Sequence, residues 1–255
     1  MSFNKIKIKE LNQIKKSPKE IFYSGNKELL KKQKVSIVGT RRPNNYTKEL
    51  TYTLAKEFSK RDIVVVSGAA MGVDAIAHKG AKANNTIAIL GNGIDIKYPA
   101  VNKELIEEIE QKGLLLSIFE PGFRPTKWSF VVRNELVVAL GEVLIVTEAD
   151  LNSGSLRSVE FAKKMNKKIF VLPHRLNESL GTNELIKNKI ATPIYDIDEF
   201  VDSFKKLEKK KEPLLEYLAS SPTLNDALLK IGDKIYELEL EGVIEIENDT
   251  IRLLI

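Results

Sequence analysis

Apolar and polar positions alternate in blocks along most of the chain. From residue 35 to about residue 195, short runs of Val, Ile and Leu are separated by longer polar stretches with apolar residues at helical spacing. Apolar runs separated by helices are typical of a parallel sheet that is covered on both faces. The pattern therefore predicts a Rossmann-like, doubly wound α/β fold with a mostly parallel sheet. The predicted strands are 35–38, 63–66, 87–90, 114–119, 143–146, 169–172 and a weaker 193–195, and the predicted helices are 48–60, 102–111, 155–165 and 183–189.

The pattern changes on either side of this alternating region. Residues 1–34 predict a short N-terminal extension with a helix or two, and residues 35–204 form the Rossmann-like domain. Residues 205–212 are charged and precede a proline, which is typical of a linker. Residues 213–255 predict three short helices and a two-stranded hairpin, and we expect a small, winged-helix-like C-terminal domain.

Three predicted strands run directly into turns of Gly and hydroxyl residues that open a helix. These turns contain Gly39-Thr40, Ser67-Gly68 and Ser153-Gly154. A helix start offers backbone N–H groups without internal partners, and small residues let an anion approach them. Since ligands of open α/β sheets bind beyond the carboxyl ends of the strands, these turns predict a phosphate-binding edge.

Cationic side chains add to this edge. Arg41 and Arg42 follow the first turn, where guanidinium groups can bind phosphate oxygens or stack on bases. From the residues alone, the alternative is an exposed arginine pair that caps a neighbouring helix.

A later block places cations among aromatic residues, the combination that binds single-stranded nucleic acid. It contains Lys127, Trp128, Phe130 and the pair Arg133-Asn134. We expect Trp128 to be mostly buried, whereas Phe130 can be either a core residue or a stacking platform. Arg133 can equally serve to satisfy buried carbonyl groups.

Charge and composition narrow the function classes. The net charge is +5, with residues 1–34 at +7 and residues 212–255 at −7. A basic body can attract nucleic acid, but charge alone favours an ordinary lysine-rich surface. The absence of Cys excludes disulfides and thiol catalysis. No apolar run is long enough for a membrane span and no export signal is evident, so we expect a cytoplasmic protein without a membrane partner.

The sequence shows no familiar catalytic motif. It lacks G-x-x-x-x-G-K-S/T, G-x-G-x-x-G after the first strand, and G-x-S-x-G. The two histidines, His78 and His174, are too few and too far apart for a metal cluster. We therefore predict no enzyme, no catalytic residues, no metal and no cofactor.

Five motifs, in order, closely resemble the DprA (Smf) family of DNA-processing proteins. They are V-G-T-R at 38–41 with Tyr46, S-G-A-A-M-G-V-D at 67–74 with His78, G-N-G-I-D at 91–95 with Y-P at 98–99, P-G at 121–122 with F-V-V-R-N at 130–134, and S-G-S-L at 153–156. The resemblance spans roughly residues 17–200. Glu135 departs from the family pattern, which usually has Arg there, and His174 stands where Gly is common.

The resemblance implies a function and a set of site residues. It implies a protein of natural transformation that binds and protects incoming single-stranded DNA, helps load the RecA recombinase, and forms a homodimer through its Rossmann-like domain. Phosphate contacts are then expected from Arg41, Arg42, Ser67, Gly68 and Lys127, stacking from Phe130, and further DNA contacts or support from Arg133, Asn134, Ser153 and Gly154.

Two alternatives belong to other classes. Phosphoribohydrolases of nucleoside monophosphates have a related core, although their P-G-G-x-G-T-x-x-E motif is absent here. A basic protein scaffold is the second alternative. The C-terminal segment is acidic at 233–241, where a DNA-reading helix would be basic, so we predict that this segment binds protein or supports a dimer.

Overall fold

The computed structural model describes residues 3–15, 17–207 and 213–254. The chain forms two compact units, 1–207 and 208–255. Part of the predicted linker, residues 208–212, lies outside the described residues. In the described parts of the chain, every helix is too short or too polar to cross a lipid bilayer.

The described residues of the first unit form a nine-stranded sheet in the order β1-β2-β6-β5-β4-β3-β7-β8-β9. Strands β3 to β9 run parallel, whereas β1 and β2 are antiparallel to their neighbours. The predicted mostly parallel, Rossmann-like sheet is therefore confirmed. The strands are β1 (Asn4–Ile6), β2 (Ile21–Gly25), β3 (Lys34–Val38), β4 (Val64–Ser67), β5 (Thr86–Ile89), β6 (Leu114–Ser117), β7 (Leu144–Val146), β8 (Ile169–Val171) and β9 (Thr192–Pro193).

Helices cover both faces of this sheet, as the apolar strands require. In β4, Val64 and Val66 belong to the core beneath the helices α4 and α5, while Val65 belongs to the core beneath α1 and α2. Successive side chains of a strand point to opposite faces, so an all-apolar strand must be covered twice. The helices are α1 (Asn45–Lys60), α2 (Val73–Ala81), α3 (Lys103–Lys112), α4 (Lys127–Leu140), α5 (Gly154–Lys164), α6 (Leu180–Lys187) and α7 (Ile197–Asp202).

The N-terminal segment differs from the expected extension. The described residues of the range 1–34 form two short 3-10 helices and also two strands, β1 and β2, which extend the main sheet beyond β6. Phe22 of β2 is buried against the core around Ile106, and Leu11 is buried against the core beneath α4. This segment is therefore part of the sheet and its core.

Helix α4 was not expected from the apolar pattern, yet it forms one wall of the site described below. It begins with a capping box in which the Ser129 amide donates to the Thr126 hydroxyl (3.1 Å) and the Thr126 amide donates to the Ser129 hydroxyl (2.9 Å). The Ser129 hydroxyl also donates to the Gly91 carbonyl (2.5 Å). This bond fixes the start of α4 against the loop that follows β5.

Over residues 213–254, the second unit forms three helices and a hairpin in the expected order. They are α8 (Pro213–Ala219), α9 (Leu224–Ile231), α10 (Lys234–Leu240), β10 (Ile244–Glu247) and β11 (Thr250–Leu253). A small core of Leu218, Ala227, Ile235, Ile244 and Ile251 holds them together. The winged-helix assignment stays a prediction.

Candidate nucleic-acid interface

A groove of about 850 Å³ lies at the carboxyl ends of the parallel strands. One wall is the first turns of α4, the opposite wall is the start of α5, and the turn after β3 completes the rim. Of the predicted site residues, the groove brings together Arg41, Lys127, Phe130, Arg133, Asn134, Ser153 and Gly154. Arg42 is exposed beside this groove but does not line it, and Ser67 and Gly68 lie beneath it.

Phe130 forms an aromatic platform within the groove. Its ring is half-buried, with the Arg41 guanidinium carbon 5.3 Å from the ring centroid and the Tyr98 ring 6.0 Å away at an interplanar angle of 27°. A Cβ on Gly91 would lie 2.7 Å from the Phe130 ring, so Gly91 is what allows the ring to lie here. The exposed Arg41 thus stands over a ring in the geometry of a cation–π pair.

Arg133 is buried and acts within the fold. Its side chain is only 4% exposed. Its Nη1 donates to the Ile89 carbonyl (2.9 Å), its Nε donates to the Asn134 side-chain oxygen (3.0 Å), and its Nη2 lies 4.0 Å from the Asp74 carboxylate. Burial lowers the pKa of Arg133 and raises that of Asp74, while the charge of each partner opposes the shift of the other. The alternative in which Arg133 satisfies a carbonyl group is the one that the structure shows.

The turn after β4 does not offer the expected phosphate contacts. The Ser67 hydroxyl is fully buried and donates to the Ile37 carbonyl (2.7 Å), so direct phosphate contact from Ser67 is wrong. A Cβ on Gly68 would collide with the Arg133 guanidinium, and this glycine therefore makes room for Arg133. The Ala70 amide donates to the Asp74 carboxylate (3.4 Å). The protein's own carboxylate thus occupies this turn, because strand β4 directs Ser67 into the sheet instead of towards solvent.

His78 is sequestered near the same turn. Its Nε2 accepts a hydrogen bond from the Ala69 amide (3.3 Å), and its Nδ1 lies 2.6 Å from the Thr86 hydroxyl. Burial is the main cause that lowers the pKa of His78, to about 3. The ring is therefore neutral at physiological pH and contributes packing and hydrogen bonds.

The start of α5 is a further candidate anion site of the groove. Ser153, at the N-cap, makes no side-chain capping bond, and Gly154 is exposed with open space where a Cβ would lie. The hydroxyls of Ser153 and Ser158 are buried and have no hydrogen-bond partner among the described residues. The first turn of α5 thus offers backbone amides and the positive end of the helix dipole to an anion.

Trp128 contradicts its predicted burial. The side chain is 63% exposed, in the first turn of α4. Its ring meets Phe119 edge-on at 5.9 Å, and Phe119 in turn stacks on Phe123 at 4.6 Å. Phe119 is buried, whereas the indole lies outside the core.

Several residues of the groove were not among the predicted contacts. Tyr98, Asp74, Ser155, Arg157 and Ser158 all line it. The available signal was their position in or near the sequence motifs, since Tyr98 belongs to the third motif and Ser158 lies two residues beyond the fifth.

Comparison with known proteins places the chain in a family. A family model for DNA recombination-mediator protein A matches residues 6–205. The chain is 35% identical to DNA processing protein DprA of Streptococcus pneumoniae over 74% of this chain and 68% of that protein. It is also 35% identical to a putative DprA of Mycobacterium tuberculosis, but the match spans only 44% of that longer protein.

A solved structure supports the same assignment. The structure of DNA processing protein A from Helicobacter pylori, a study of its single-stranded DNA binding mode, matches with a TM-score of 0.78 and 43% identity, over 80% of this chain and 96% of that one. The chain therefore belongs to the DNA recombination-mediator protein A (DprA/Smf) family.

Proposed function

We propose that this protein binds single-stranded DNA in the groove between α4 and α5. The observation that carries the proposal is the exposed Arg41 guanidinium over the half-buried Phe130 ring, with Lys127 on the same rim. Arg41 is exposed and can turn from the ring towards a phosphate, which leaves the face of Phe130 to a base. The single-stranded DNA binding mode studied in the Helicobacter pylori relative supports the same reading.

The arrangement suits a single strand because its bases are free to stack. In a duplex, both faces of each internal base are covered by neighbouring bases, so no base would have a free face to stack on Phe130. A strand in the groove would place phosphates near Arg41, near Lys127 and at the first turn of α5, with one base between them on Phe130. Arg133 and Asn134 would hold the wall of the groove in place.

The test is a titration of fluorescently labelled oligo-dT at several salt concentrations. Arg41→Ala combined with Arg42→Ala is expected to weaken binding to all sequences and to lower the salt slope by about one to two. Arg41→Ala alone should account for most of the effect, because Arg41 lines the groove and Arg42 does not.

A matched control removes two exposed cations elsewhere. Arg175 and Lys103 have side chains that are 89% and 63% exposed and do not line the groove. Arg175→Ala combined with Lys103→Ala should leave both affinity and salt slope nearly unchanged. Equal losses in the two double variants would contradict the groove. Release of free base from a nucleoside monophosphate at an enzymatic rate would favour the phosphoribohydrolase alternative instead.

A more specific role in natural transformation would build on this binding of single-stranded DNA. We propose that the protein protects single strands taken up in natural transformation, helps load RecA onto them, and acts as a homodimer. Bound strands should then resist a single-strand nuclease, and RecA filaments should form with a shorter lag when the protein is present. Light scattering should give twice the chain mass of 28.7 kDa. Loss of RecA stimulation with DNA binding intact would separate the two parts of the proposal.

A further inference from the structure

We infer that Trp128 is a second base-stacking position, outside the groove, on which a bound single strand continues. This inference rests on the proposed single-stranded DNA binding, and it adds a contact that the groove itself does not include. Trp128 does not line the groove, although Lys127, the residue before it, does.

The fold holds the indole in place without burying it. Phe119 supports Trp128 edge-on, and the stacked pair of Phe119 and Phe123 lies beneath the loop. Large aromatic side chains are highly buried on average, so an indole that is 63% exposed leaves much apolar surface in water. Covering it with a base would remove that surface from water.

The loop between β6 and α4, which carries Phe119 and Phe123, is held in place by hydrogen bonds. The Gly122 amide lies 2.9 and 3.0 Å from the two oxygens of the Asp95 carboxylate, and the Gly93 amide donates to the Phe123 carbonyl (2.8 Å). The capping box at Thr126 then fixes the first turn of α4. Little of the stacking energy is therefore spent on ordering the platform.

The charges around Trp128 favour a nucleic acid. Arg124 and Lys127 are exposed on the same segment. Of the nearby acids, Glu120 lies 3.6 Å from Lys5, and Asp95 is engaged by the Gly122 amide. Among the described residues, Arg124 and Lys127 have no ion-pair partner, so the uncompensated charges of this segment are cationic, and Lys127 also lies on the rim of the groove.

These observations decide between two occupants. A second protein would need a broader apolar patch, whereas a single base needs one ring and a cation for the neighbouring phosphate. The indole beside Arg124 and Lys127 provides that pair. We therefore assign the position to one nucleotide of a strand whose other nucleotides occupy the groove.

Trp128 is the only tryptophan of the chain, so its own emission reports the contact. The experiment titrates the full-length protein with oligo-dT of increasing length, from about 4 to about 16 nucleotides. Short strands that fill only the groove should bind with little quenching. Strands long enough to reach beyond Lys127 should quench the indole, with a step in affinity at the same length.

Variants test whether the indole contributes to binding. Trp128→Ala should lower the affinity for long strands about fivefold or more, the lower end of what alanine substitution of a stacking residue costs. The affinity for the shortest strands should not change, and Trp128→Phe should retain most of the long-strand affinity. Tyr195→Ala, at a ring that is 83% exposed and away from the groove, is the matched control and should have no effect.

The possible failures are distinct. If no oligonucleotide binds, or if binding ignores Arg41, the proposed function itself fails. If short and long strands bind through Arg41 but the indole is not quenched and Trp128→Ala binds both as the wild type does, only this inference is overturned. Emission that changes with protein concentration, and not with DNA, would assign the indole to contact with a second copy and would also overturn it.

Discussion

Replacing Arg133 with Met should act mainly by destabilising the fold, because the guanidinium makes its contacts within the protein and not with DNA. The guanidinium makes a 2.9 Å bond to the Ile89 carbonyl and a 3.0 Å bond to Asn134, and it is the charge partner of the buried Asp74. A hydrogen bond from a charged group contributes about 1.5–3 kcal/mol, and breaking a buried charge pair costs about 3–5 kcal/mol. Because both estimates describe contacts of the same side chain, they are not added together. We expect the free energy of unfolding to fall by about 4 kcal/mol.

The same variant should acquire a pH dependence with a definite sign. Burial already raises the pKa of Asp74, and removing Arg133 removes the charge that opposes this shift. A carboxyl whose folded pKa lies above its unfolded pKa stabilises the protein below the unfolded value, and this contribution is lost as the pH rises through the folded value. Arg133→Met should therefore become less stable relative to the wild type as the pH rises above about 4.

Urea unfolding followed by circular dichroism measures both effects. Adding Asp74→Asn to Arg133→Met should recover a substantial part of the stability and remove the added pH dependence, since no unpaired charge then remains buried. A loss below about 1 kcal/mol, or strict additivity of the two substitutions, would refute the reading of Arg133 as a buried structural cation.

The remaining predictions concern acid stability and the second unit. His78 has a folded pKa of about 3 against an ordinary value of 6.5, so its contribution is complete above about pH 6.5 and is lost as the pH falls towards 3. The free energy of unfolding, measured by urea titration from pH 7 to 5, should fall by at most about 1.4 kcal/mol per pH unit because of this group. This dependence on pH should be weaker in His78→Asn, and an unchanged dependence would contradict the assignment. Deleting residues 212–255, with their net charge of −7, should not reduce the salt slope of single-strand binding, whereas a smaller slope would show that this unit contacts phosphates.

The sheet was predictable because its strands are buried on both faces. Runs such as 63–66 and 143–146 leave no polar residue to alternate with, and such runs settle into a parallel sheet. Strand β1 was missed although Lys5, Ile6, Lys7 and Ile8 alternate in the period of a half-buried strand. The abundance of lysine favours an exposed extension. Only the pairing of β1 with β2 in the structure shows that this segment belongs to the sheet.

The site was predictable in its location but not in the roles of individual residues. The motifs predicted that Arg41, Phe130 and Gly154 lie at one site, and the structure places all three in the groove. The sequence could not show that Ser67 donates into the sheet, or that Trp128 lies outside the core beside the buried Phe119. The hydrogen bond of Ser67 and the exposure of Trp128 both depend on how segments that are far apart in the chain pack against each other.

Asp74 also limits which ligands the groove can accept. In open α/β folds, a compact phosphate-rich cofactor commonly seats its charges on a glycine-rich turn at a helix start. Here the carboxylate of Asp74 already accepts the amide of Ala70 at such a turn, so this amide is not free to bind a phosphate. A small polyanion that needs this turn is therefore disfavoured, whereas a flexible polymer can distribute its charges along both margins of the groove.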